Sequence, residues 1–141
     1  MTLKLLTGWA LRISLSAAFL SAVADRFGLW GPPGAPNVAW GDWASFVAYT
    51  GTLNAFLPAS LYAPLGWIAT IAEVALGIWL LVGVKLRWAA FGSAALVMAF
   101  AVAMTVTTGI KAPLNYSVFT GVAAALALAH LAERRGNLQA R

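Results

Sequence analysis

Arg12 and Glu73 are the residues of this sequence best placed to do chemistry, because each stands alone in a long apolar run. Arg12 is the one charge between Leu5 and Ala24, and Glu73 the one charge between Ala59 and Val84. An arginine or carboxylate at the centre of a membrane span costs roughly 2.5–3.5 kcal/mol on insertion scales, so such groups face protein rather than lipid. Arg12 lies eight residues beyond Lys4, about 12 Å along a helix, and Glu73 twelve residues before Lys85, about 18 Å. If the two lysines mark one interface and the helices are antiparallel, the charges stand about 6 Å apart in depth, within reach of an extended arginine. Small residues flank both: Gly8 and Ser16 beside Arg12, and Gly66, Thr70 and Gly77 beside Glu73. They let helices approach closely. The spacing predicts an Arg12–Glu73 pair, either as a structural ion pair or as the core of a ligand pocket or proton path.

A second polar group gathers toward the other end of these helices. Asp25 and Arg26 close the first apolar run, Lys111, Asn115 and Tyr116 surround the last hairpin, and Asn54 lies in the long loop. The group reads as interfacial anchoring or as an outward-facing pocket for a polar headgroup or small anion. His130 is the single histidine and there is no cysteine. That excludes thiolate nucleophiles, iron–sulfur ligation, thiolate metal sites and multi-histidine metal sites. No phosphate loop, dinucleotide fingerprint, nucleophile elbow or metal-ligand cluster is present, so the chain carries no catalytic motif, no metal site and no intrinsic cofactor site.

The elements that position these groups are membrane helices. Hydrophobic residues make up 62% of the 141 residues and charged residues 9%, against about 45–50% and about 25% in soluble domains. Besides the two runs above, Trp88–Ile110 and Ala112–Ala132 carry no Lys, Arg, Asp or Glu. Each run has the ~20 residues needed to cross a hydrocarbon core about 30 Å thick, and only helices satisfy a single span's backbone there. The expected fold is an all-α membrane protein, a single domain over 1–141. Four transmembrane helices lie near 5–25, 61–84, 88–109 and 113–132. A short extra helix sits in the first outer loop near 42–57, signalled by the Asp42 cap and by Trp43, Phe46, Val47, Leu53 and Leu57 at helical spacing. That helix is a clamp on the membrane surface or a lid over the bundle mouth. Ala95, Ala99, Ala103 and Thr107 on the third span, and Ser117, Gly121 and Ala125 on the fourth, read as packing seams, with Met98, Phe100 and Met104 in the core.

Lys4, Lys85, Arg87, Arg134, Arg135 and Arg141 fall on one side of such a bundle, and Arg26 and Lys111 on the other. That asymmetry places both termini in the cytoplasm. Ala22-Val23-Ala24 before Asp25 resembles a signal-peptide cleavage site, but Arg12 inside the apolar run argues against cleavage. The net charge of +5 sets topology and does not point to nucleic acid, since the basic residues do not interleave with aromatics on a polar face. The tail from Glu133 to Arg141 is expected to fray.

The residues resemble the DoxX family over nearly the whole chain. Arg12, Ser16, Phe19 and Arg26 stand where that family has Arg, Gly, Phe and Lys. Glu73, Gly77, Leu80, Leu81, Gly83 and Arg87 follow its E-x-x-x-G-x-x-L-L-x-G-x-x-x-R pattern. DoxX-like proteins are small bacterial inner-membrane proteins. Some serve as membrane subunits of thiosulfate:quinone oxidoreductase, and others as partners of superoxide dismutase and sulfurtransferase. The resemblance implies Arg12, Arg26, Glu73 and Arg87 as the polar signature, and a membrane subunit or anchor of a redox-associated complex. Without cysteine, redox work would run through a bound quinone or a redox partner protein. The other two readings are a small-solute transporter or lipid-binding protein using the buried pair, and a structural scaffold without ligand. A homo-oligomer is compatible with all three.

Overall fold

A computed structural model describes residues 2–139, with side chains through Glu133. The side chains of Arg134, Arg135 and Arg141, used above for orientation, lie outside the described residues. The regular structure is all helical, with no strand among the described residues. Helix α1 spans Leu3–Arg26, α2 Trp43–Leu53, α3 Tyr62–Val82, α4 Leu86–Thr108, α5 Lys111–Asn115 and α6 Val118–Gln139, and a 3-10 turn at Ala59–Leu61 leads into α3.

The four long helices close a ring in which α1 touches α3 and α6, and α4 touches the same two. Neighbours run antiparallel. Ser16 bonds Gly77 near the middle of α1 and α3, while Arg26 at the end of α1 meets Thr70 nearer the start of α3. Arg87 at the start of α4 pairs with Glu133 late in α6 at 3.1 Å. The core contains Leu15, Phe19, Leu80, Val122 and Leu128, with Ala89, Ala90, Ala94, Ala125 and Ala129 where α4 meets α6. Alanine at that seam lets the backbones approach closely. The outward faces carry exposed Ile13, Ile68, Ile71, Val102 and Val106, a distribution suited to lipid and too apolar for water. Hydroxyls on the apolar helices are satisfied locally: Ser93, Thr105, Thr107 and Thr108 each donate to the carbonyl four residues back.

Three helices, Leu3–Arg26, Ala59–Val82 and Leu86–Thr108, are long and apolar enough to cross a membrane. The fourth expected run, 113–132, is broken. Pro113 sits in the short α5, Ser117 takes a left-handed φ of 55°, and α6 begins only at Val118. Its described apolar part, Val118–Glu133, is shorter than the other three. The tail expected to fray continues α6 as far as Gln139. The loop helix ends at Leu53 rather than 57, because Asn54 turns its side-chain amide back onto the Thr50 carbonyl at 2.9 Å and closes the last turn. The Asp42 carboxylate caps α2 by accepting from the Ser45 N–H at 2.7 Å. The α4 seam is also corrected. Its buried face is Ala89, Ala90, Ser93, Ala94, Ala101 and Met104, whereas Ala95, Met98 and Ala99 are exposed.

Candidate functional site

Glu73 pairs with Arg26, not with Arg12. The Arg26 Nη1 contacts Glu73 Oε2 and donates to Thr70 Oγ1 at 2.7 Å. The Thr70 hydroxyl in turn donates a hydrogen bond to the Gly66 carbonyl at 2.8 Å. Arg26 is 2% exposed and Glu73 3%. The expected depth match failed because Lys4 and Lys85 are not level. Arg12 lies beside Leu80 and Leu81 at the end of α3, and Glu73 is eight residues further in, about 12 Å. The first turns of α1 therefore extend past the end of α3.

Arg12 serves that helix end. Its Nε donates to the Leu80 carbonyl at 2.8 Å and its Nη2 to the Leu81 carbonyl at 2.6 Å. Terminal carbonyls of a helix lack intrahelical donors, and the C-terminal dipole favours a cation. The guanidinium also lies 3.9 Å from the centre of the Trp9 ring. Gly83 ends α3 with a φ of 79°, and a Cβ there would stand 2.5 Å from Arg12 Nη2. Glycine suits the left-handed cap, and a Cβ there would have to displace the bonded Arg12 guanidinium.

At the other end, the segment between α1 and α3 builds a roof over Arg26 and Glu73. The Arg26 guanidinium lies 3.9 Å from the Phe46 ring centre and 5.4 Å from that of Trp40. Trp43 stacks on Phe27 at 5.7 Å and packs at a tilt against Trp67 at 4.3 Å. Asp25 latches the roof in place. Its carboxylate accepts from the backbone N–H groups of Ala39, Trp40 and Gly41 at 2.8–2.9 Å. These bonds offset the unfavourable position of a carboxylate at a helix C-terminus. Gly41 has a φ of 74°, and a Cβ there would strike the Pro32 and Pro33 backbone.

The proposed outer polar cluster therefore does not converge. Asp25 and Arg26 turn inward under the roof, and Asn54 bonds within α2. Lys111 and Asn115 bond each other at 3.3 Å on the surface, and Tyr116 is exposed. The sequence reading missed the Asp25 latch and the roles of Trp40 and Phe46. The sign available was the turn-rich stretch from Gly28 to Pro36 directly after two charges, which a chain uses to fold back on itself.

One donor of the pair is left over: Arg26 Nε has no hydrogen-bond partner among the described residues, whereas Glu73 Oε2 is held by Arg26 Nη1. The site thus offers one guanidinium N–H, a paired carboxylate and two aromatic rings, with both charges buried. No group of three or more His, Cys, Asp or Glu among the described residues could hold a metal ion. The fold and site define an all-helical protein with membrane-length apolar helices and a roofed, buried ion pair. No protein-family description, curated protein or solved structure matches the chain.

Proposed function

We propose that the chain is a four-span bundle of the bacterial inner membrane, with both termini cytoplasmic, acting as the membrane subunit of a redox-associated complex. In this reading it holds a quinone ring at the Arg26–Glu73 pair. The observation that carries the proposal is the buried, unused donor at Arg26 Nε, beside the paired Glu73 carboxylate and beneath the Phe46 and Trp40 rings. A quinone, when bound, supplies two-electron redox chemistry that this cysteine-free chain lacks. Arg26 Nε fits the role of donor to a ring carbonyl, with the Glu73 carboxylate holding the guanidinium in place. The roof buries Arg26 and Glu73, and a hydrogen bond made there is stronger than one in water. The resemblance to DoxX supplies the redox setting and the partner subunit.

The reading is tested by titrating purified protein with a short-chain ubiquinone and following tryptophan fluorescence, since Trp40 and Trp43 line the roof. Saturable quenching is expected, weakened at least tenfold in Arg26→Gln. A linear, non-saturating response identical in the two proteins would overturn it.

A further inference from the structure

A second candidate site lies where the end of α2 meets α4. The residues Ala95, Ala99 and Ala103 form the floor of a groove of about 540 Å³, walled by Leu53, Phe56 and Met98. Its polar lining is Asn54 and Thr107, both toward the α2 end of the bundle. Along α4 the groove extends from Ala95 to Val106 and Thr107, about 18 Å at the rise of a helix. That matches one leaflet of a hydrocarbon core about 30 Å thick, and a single acyl chain has that reach. Beyond the polar end, four residues past Thr107, stands the exposed cation Lys111, whose Nζ is held toward Asn115 at 3.3 Å.

We infer that this groove seats one acyl chain of an anionic phospholipid, with the phosphate at the Lys111 end. Apolar walls run one leaflet deep, a polar rim closes one end and a cation lies just past it. That order is the order of groups along a phospholipid. The small side chains of Ala95, Ala99 and Ala103 make the depth, since any larger residue there fills the floor. The inference rests on the membrane placement proposed above and not on the quinone.

The test is lipid retention. Protein reconstituted in a mixture of phosphatidylglycerol and phosphatidylethanolamine is re-extracted, passed through detergent exchange and analysed for bound phospholipid. The wild type is expected to retain about one phosphatidylglycerol per chain, Ala99→Leu with Ala103→Leu at least fivefold less, and Lys111→Gln to lose the preference over phosphatidylethanolamine. Lys111 is on the surface, so its variant reports even if the groove-filled protein fails to fold. No retained lipid in the wild type, or equal retention and headgroup preference in all three, would overturn the inference. So would disulfide-linked dimers through Met98→Cys in the wild-type background without retained lipid, which would give the groove to a second copy. Protein that stays soluble without detergent would instead remove the membrane placement itself.

Discussion

Removing one charge of the Arg26–Glu73 pair strands the other in a site where neither residue is more than 3% exposed. Breaking a buried pair from one side costs about 3–5 kcal/mol, whereas replacing both partners with apolar residues of similar volume is often close to neutral. Arg26→Met and Glu73→Leu should therefore each lower the midpoint of thermal unfolding in detergent by about 10–20 °C, taking about 3–4 °C per kcal/mol for a chain of this size. The Arg26 change also removes the Thr70 contact at 2.7 Å and the Phe46 stacking at 3.9 Å, so it should be the worse of the two. The double variant should recover most of the loss. Independent sites would add to about 6–10 kcal/mol, so the coupling energy distinguishes the cases clearly. The assay is a double-mutant cycle by thermal unfolding monitored through intrinsic fluorescence. Additive losses would refute the pairing, and the same cycle built on Arg12 and Glu73 should be additive.

Asp25→Asn should release the 39–41 strap, because an amide has one acceptor oxygen where the carboxylate uses two for three N–H groups. Faster amide exchange at Ala39–Gly41, with α1 and α3 unchanged, is the expected readout. Gly83→Ala should destabilise by at least about 1–2 kcal/mol from the left-handed backbone alone, and more through the contact with Arg12, measured as a lowered unfolding midpoint. The Ser45 backbone N–H holds the Asp42 carboxyl below its ordinary value. That cap stabilises α2 above the usual carboxylate range and is lost as pH falls through the lowered folded-state value. Fluorescence of Trp43 should titrate there, and Asp42→Ala should abolish the transition.

Much of this architecture is written in the sequence as hydropathy. The long apolar runs set α1, α3 and α4, and Asp42 marks the start of α2 through a local side-chain bond. The burial of Glu73 follows from the cost of placing a carboxylate in lipid. Its partner did not follow, because the choice between Arg12 and Arg26 depends on helix register, and the flanking lysines are a poor ruler for it. The correct register is fixed by Ser16 on the Gly77 carbonyl and Leu20 against Gly77, contacts between helices that periodicity alone does not encode. The Asp25 latch was illegible for another reason: its partners are backbone N–H groups, which carry no residue signature. The break before α6 turns on Ser117 adopting a left-handed backbone, a conformation that serine seldom signals.

The central claim, that the roofed Arg26–Glu73 pair is a ligand site rather than only an architectural pair, is tested most directly by extracting quinone from the native protein. Wild type and the Arg26→Met, Glu73→Leu double variant are purified from bacterial membranes in mild detergent and their organic extracts assayed for bound quinone. Quinone is expected in the wild-type extract, with at least a tenfold loss from a double variant that unfolds at nearly the wild-type temperature. Equal quinone in both extracts, or none in the wild type, would contradict it.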